Sequence, residues 1–310
     1  MSESLSFGKA TKRSRYGSFS KDRMRRTVWS ANICSNAGLH YHLIDSEWKK
    51  CYMLPYEAQD LVVHSQDLKT IFTFSTRHTN CLSLIKQTVN TVGTGSVCLN
   101  LVAGNPAYLS SREARRSSLQ TLIRAVRFVR KNYDGVRLFV GTEGLSSRII
   151  ELCMEYDLTP FLLLDRGIEE EVPRIEGVLK NREVGLYFPF MISENYPRLL
   201  RDILYRLSGY IMRRRWVRNE ILKMGYDPSV STLKAVIQEK KPLSSKFIES
   251  DLGTFLKEAA SNLTIYGDQD RVIKTLRALR KIGITTMMGL PIKENEEQIL
   301  QLGECNRRIM

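Results

Sequence analysis

The chain has 310 residues, 43% of them apolar, and a formal net charge of +14. This length suits one α/β barrel, for which roughly 250 residues is typical, and the apolar share can build a large core, which excludes a fibrous or wholly disordered chain. No apolar run reaches the roughly eighteen residues of a membrane span, and the basic N-terminus lacks the apolar stretch of a secretory signal.

Half of the charge is local. Residues 9–26 carry eight Lys and Arg side chains against the single acid Asp22. Residues 1–26 are therefore expected to form a disordered basic arm ahead of one domain over 27–310. Such an arm can bind nucleic acid or an acidic partner, but a solvated segment is the favoured reading. The cysteines are Cys34, Cys51, Cys81, Cys98, Cys153 and Cys305. None forms a CxxC pair or a zinc-finger spacing, so reduced, buried thiols in the cytoplasm are expected, and no metal.

From Thr27 on, strand-like and helix-like segments alternate. Thr27–Cys34 is a weak strand candidate, and 38–45 is a second. The stretch 54–65 reads as a short helix, and Lys69–Ser75 as a strand. Leu82, Ile85, Val89 and Val92 give 80–92 a helical stripe. A buried-type strand over 95–103 follows. Residues 110–132 read as a helix opened by Ser110 or Ser111 with Glu113 close behind. Strand 135–140, helix 144–156, strand 159–164, helix 168–179 and strand 184–192 come next. The stretch 196–224 is one long or two linked helices, and 226–250 reads as a loop or inserted lid. Helix 268–283, strand 284–290 and helix 295–310 complete the chain. Strands separated by helices of this length predict parallel βαβ units, and a closed (β/α)8 barrel is favoured over an open doubly wound sheet.

In such a barrel chemistry collects on the loops that follow the strands. After Ser75 come Thr76, Arg77, His78, Thr79 and Asn80, which can hold an anion or a polarised carbonyl, or simply cap the next helix. After the next strand, Gly104 allows a ligand close to the backbone, with Asn100 and Asn105 offering amides; a plain turn is the alternative. Gly141, Gly144, Ser146 and Ser147 then precede a helix, where free N–H groups favour an anion, although a serine-capped glycine turn reads the same way. Asp165 and Arg166 form either an anion site or an ordinary ion pair. The basic run Arg213–Arg218 contains Trp216; it reads as a solvated helix face with one inward Trp, and less readily as a phosphate-tracking stripe.

The segments 69–105, 136–165 and 266–291 resemble, in order, the luciferase-like monooxygenase superfamily, which includes flavin- and coenzyme F420-dependent enzymes. The resemblance rests on the strand–loop–helix of KTIFTFSTRHTN, the strand ending in LVAGN, the VGTEGLSS segment, and the late YGDQDRV helix with its strand ITTMMGLP. It implies a (β/α)8 barrel holding FMN or coenzyme F420 at the C-terminal mouth, and an oxidoreductase acting on a small-molecule substrate. Methylene-tetrahydromethanopterin reductases belong to that superfamily, so a pterin-linked one-carbon substrate is one option, and a homodimer another expectation. Carried across, the resemblance nominates Ser75, Thr76, Asn100, Gly104, Asn105, Gly141, Gly144, Ser146 and Ser147 for the cofactor. His78 is the expected proton donor, because imidazole titrates near neutrality. The alternative is a barrel without catalysis that binds nucleic acid or an acidic partner through residues 9–26 and 213–218.

Overall fold

A computed structural model of the chain describes residues 4–10, 21–45, 55–64, 68–104, 109–142, 146–179, 182–237, 243–293 and 295–309. The chain opens with β1 (Ser4–Ala10), α1 (Lys21–Asn36), β2 (Tyr41–Asp45), α2 (Pro55–His64), β3 (Lys69–Ser75), α3 (Cys81–Val92) and β4 (Val97–Val102). It continues with α4 (Ser111–Ala114), α5 (Ser118–Asn132), β5 (Arg137–Thr142), α6 (Ser147–Tyr156), β6 (Thr159–Leu163), α7 (Ile168–Leu179) and β7 (Val184–Ile192). A helical insert follows: α8 (Tyr196–Arg206), α9 (Ser208–Ile211), α10 (Arg215–Lys223), α11 (Val230–Val236), α12 (Ser245–Ile248) and α13 (Asp251–Leu263). The last elements are β8 (Ile265–Gly267), α14 (Gln269–Lys281), β9 (Ile284–Pro291) and α15 (Glu296–Ile309).

Every strand pairing is parallel, as helical crossovers require. Strands β2 to β6 pair in chain order, β6 also pairs β7, and β7 pairs β9. The result is a curled parallel sheet in an α/β fold. Strand β1 pairs both β2 and β9, and the short β8 pairs the end of β7.

The strands are apolar on both faces, the pattern of a covered parallel sheet. On the outer face Phe72, Phe74, Leu99, Leu101, Leu138, Val140 and Leu186 pack with the helices in one large core. The concave face holds a separate cluster of Tyr41, Leu43, Ile71, Cys98, Phe139, Phe161 and Met288, with Tyr187 against it. The insert has its own core, in which Leu200, Ile203, Val217, Ile221, Leu256 and Leu263 are buried.

Several sequence expectations need correction. Thr27–Cys34 lies within helix α1, not a strand. Thr27, Ser30, Ala31 and Cys34 are its buried residues, at helical spacing, but they are too small or polar to register as an apolar stripe. The expected single helix over 110–132 is two, because Ser117 caps a new start by accepting from the Gln120 N–H. The stretch 226–250 contains α11 and α12, and the helix α13 and strand β8 that follow were not anticipated. Two elements begin inside the segment read as an arm: β1, and α1 at Lys21. The side chains of residues 1–26 are outside the description.

Candidate functional site

Because β3, β4 and β5 are consecutive parallel strands, their trailing turns leave the sheet at the same end. Register pairs Thr73 with Asn100 and Ser75 with Val102, and then Asn100 with Phe139 and Val102 with Gly141. Side chains alternate along a strand. Ser75 therefore shares the concave face with Ile71 and Thr73, Asn100 with Cys98, and Gly141 with Phe139. That face opens toward the strand ends: Phe139, Phe161 and Met288 are buried, whereas Val102, Gly141, Leu163 and Leu290 beyond them are half-buried.

Two polar atoms at this opening are left over. Asn100 donates its amide to Thr73 Oγ1 over 3.3 Å, but its Oδ1 is buried with no hydrogen-bond partner among the described residues. Ser75 Oγ is in the same condition, and the residue is fully buried. An unpartnered buried hydroxyl or amide costs about 1–3 kcal/mol. Two such atoms lie at the ends of adjacent strands.

Glycines hold the surroundings open. Gly104 has φ +85°, and a Cβ there would lie 1.9 Å from Ser75 Oγ. A Cβ on Gly141 would lie 2.5 Å from Val102 Cγ1 and 3.2 Å from Asn100 Oδ1. Both glycines let the backbone pass where a side chain would fill the polar corner. Arg77 fixes the loop after β4: its Nε donates to the Ala103 carbonyl at 2.6 Å and its Nη2 to the Gly104 carbonyl.

Ser75, Asn100, Gly104 and Gly141 thus come together. The other nominated residues sit around them. Thr76 donates its N–H to the Val102 carbonyl at 2.8 Å, and its hydroxyl lies 3.3 Å from that of Thr121. Ser146 caps α6 by accepting from the Ile149 N–H, and Ser146 and Ser147 are exposed. Asn105 and Gly144 lie outside the described residues. His78 is only 2% exposed, with its Nδ1 3.5 Å from Glu113 Oε1. Sequence reasoning saw Glu113 only as a cap, because its contacts with Thr79 and His78 are made across a loop boundary.

No thiol here is a ready nucleophile. Burial pushes Cys81 up to about 12 and Cys98 up to about 11, the latter despite nearby Arg137 and Lys69. Among the described residues no group of His, Cys, Asp and Glu is placed to hold a metal ion. The described residues also contain no helix long and apolar enough to cross a membrane.

The basic run on α10 is not a free stripe. Arg214 Nε pairs with Asp165 Oδ2 at 3.2 Å, and Trp216 Nε1 donates to Asp165 Oδ1 at 3.0 Å. Trp216 also meets the edge of Phe255, with ring centroids 6.0 Å apart, and Arg166 lies over its ring at 5.6 Å. Arg166, Trp216, Lys223, Asp251, Phe255 and Glu258 line an open groove of about 780 Å³ between α10 and α13. Its mixed charges favour no single ligand class.

A model of a family of unknown function matches residues 39–298. No curated protein matches the chain. Solved structures share the fold. The coenzyme F420 dependent tetrahydromethanopterin reductase from Methanopyrus kandleri is 14% identical, with 98% of each chain covered and a TM-score of 0.68. An F420-dependent secondary alcohol dehydrogenase, in complex with an F420-acetone adduct, is 9% identical over 100% of both chains, with a TM-score of 0.67. The oxygenating constituent of 3,6-diketocamphane monooxygenase from Pseudomonas putida, in complex with FMN, is 11% identical over 100% of this chain and 99% of that one, with a TM-score of 0.65.

Proposed function

The chain belongs to DUF7388, a family of unknown function, and from that premise we propose that it is a flavin- or deazaflavin-dependent oxidoreductase of the luciferase-like type. The sheet is read as a closed (β/α)8 barrel, supported by β1 pairing both β2 and β9 and by the pairing of β6 with β7. Three fold relatives are described as F420-dependent or as complexed with FMN, which supports the cofactor class. The observation that carries the reading is the pair of buried atoms, Ser75 Oγ and Asn100 Oδ1, that have no hydrogen-bond partner among the described residues at the strand ends.

These residues fit a planar, polar-edged ring. Asn100 Oδ1 accepts a ring N–H, and Ser75 Oγ donates to or accepts from the ring edge. Gly104 and Gly141 admit the ring close to the backbone, and Arg77 keeps the loop beside Ser75 in place. Thr76, Asn105, Gly144, Ser146 and Ser147 complete the proposed cofactor set, with the last two at the start of α6, where a phosphate is favoured by free N–H groups. His78 is the proposed proton donor. When bound, such a cofactor supplies hydride or oxygen transfer, while the chain binds, orients and excludes water. The buried side chains below the site, Phe139, Phe161 and Met288, keep water from entering from beneath. A small-molecule substrate is proposed to enter from the strand-end side. The buried free thiols among the described cysteines support a cytoplasmic setting.

Titration of the purified chain with FMN and with coenzyme F420, followed by cofactor fluorescence, tests the proposal. Micromolar binding of one of them is expected, and Asn100→Leu and Ser75→Val should each weaken it by about tenfold or more, the worth of one buried hydrogen bond. Binding of neither cofactor, or equal affinity in both variants, would refute it.

A further inference from the structure

Glu113 is 1% exposed, and its carboxylate does more than close a helix start. Oε2 accepts from the Ser110 N–H at 3.0 Å and from the Ser110 hydroxyl at 2.7 Å, and the Glu113 N–H donating to Ser110 Oγ at 3.4 Å completes the capping box of α4. Oε1 turns the other way. It accepts from the Thr79 N–H at 3.0 Å and from Thr79 Oγ1 at 3.2 Å, both in the turn after β3. The same oxygen lies 3.5 Å from Nδ1 of His78, and both side chains are 1% exposed. Among the described residues, charges beside this pair include Arg77, whose Nη1 reaches the Ala114 carbonyl, and Arg116, which donates to the Arg77 carbonyl. Both guanidinium groups therefore engage carbonyls here.

A carboxylate facing an imidazole nitrogen selects the tautomer with the proton on that nitrogen. We propose that Glu113 is a positioning residue that holds His78 with its proton on Nδ1, which makes Nε2 the acceptor nitrogen of the ring. The use of that nitrogen by a ligand rests on the function proposed above, whereas the tautomer does not.

A capping box accepts Gln as readily as Glu. Glu113→Gln therefore keeps the helix start with its amide oxygen toward Ser110, and sets an uncharged NH2 donor in place of the oxygen that faces Thr79 and His78. The test is long-range proton–nitrogen NMR on the full chain labelled at histidine, with the His78 signals assigned by their loss in His78→Gln. The chain has four histidines, so the spectrum is resolvable. In the wild type His78 is expected to be protonated at Nδ1, and in Glu113→Gln the population is expected to move toward Nε2–H. An Nε2–H tautomer in the wild type overturns the proposal even if the variant fails to fold, and so does an unchanged tautomer in a folded variant. FMN and coenzyme F420 are then added to the wild type. A shift at Nε2 is expected with one of them. No shift, with the Glu113 effect intact, removes the cofactor reading of the site and leaves the positioning role in place.

Discussion

Gly104 is the residue on which the polar corner depends most. Its φ of +85° lies in the left-handed region, and a Cβ would meet Ser75 Oγ at 1.9 Å. Rotation of the Ser75 hydroxyl can relieve that contact only in part, because Ser75 Cβ stays at 3.0 Å and the positive φ remains. Gly104→Ala is expected to destabilise the chain by about 2 kcal/mol or more, the combined cost of a strained backbone and overpacking. Urea unfolding measures this, and a loss under half of that would mean the loop shifts freely. Arg77 is the second sensitive position. Arg77→Lys keeps the charge but loses the fork that reaches the Ala103 and Gly104 carbonyls, so cofactor affinity is expected to fall while the fold persists. Unaltered affinity in that variant would show that the loop does not need the staple. At this scale the sequence was informative at the strand ends. Asn100, Gly104 and Gly141 were reachable from strand boundaries and glycine placement, whereas Ser75 came only from the family resemblance. The burial of His78 and its approach to Glu113 were not, because they depend on how the turn after β3 meets the start of α4.

Among the elements, helices with large apolar stripes were legible and those with small buried residues were not. Helix α5 announces itself with Leu122, Val126 and Val129. Helix α1 hides, since it packs through Ser30, Ala31 and Cys34, and its Val28 and Trp29 imitate a strand. Helix α13 carries a clear stripe of Leu252, Leu256, Ala259 and Leu263, masked by the Ser- and Pro-rich stretch before it. Helix α8 is tied to the loop after β9 by Asp202, which meets Arg201 and, at 2.5 Å, Lys293 Nζ. Burial alone would push the Asp202 carboxyl up, but the bonds from Lys293 and Arg201 outweigh it and hold it below the ordinary carboxylate range. A depressed folded value means that this stabilisation is full at neutral pH. It fades as acid takes the pH down through 3.8 and then through the lower folded value. Asp202→Asn is therefore expected to lower stability at neutral pH and to narrow its gap from the wild type near pH 3, as read by thermal melts across that range. A constant gap would show that the ion pairs contribute nothing.

Across the whole molecule the two ends of the sheet have different work. At the N-terminal end Arg137 bonds the Tyr41 hydroxyl and the Glu183 carboxylate and stacks 4.9 Å from the Phe139 ring centroid, closing the concave face with a charged plug. At the other end the same face ends in Ser75, Asn100 and Gly141 with hydrogen bonds unmade. Under the proposed function, stability and binding are separated along the strands. Arg137→Met is expected to cost on the order of 1 kcal/mol of stability and to leave cofactor affinity unchanged, since the plug lies a strand length from the site. A large loss of affinity in that variant would deny the separation. The alternation of strands and helices, and with it the parallel sheet, was readable from periodicity. The placement of β1 was not, because its strand lies in a segment whose composition reads as an arm.

The most direct measurement is a crystal structure of the chain grown with FMN or coenzyme F420, whichever binds more tightly. The ring should lie at the strand ends, with polar atoms within hydrogen-bond distance of Asn100 Oδ1 and Ser75 Oγ. A ring seated instead in the groove between α10 and α13, with both of those atoms still unpartnered, would contradict the proposed site.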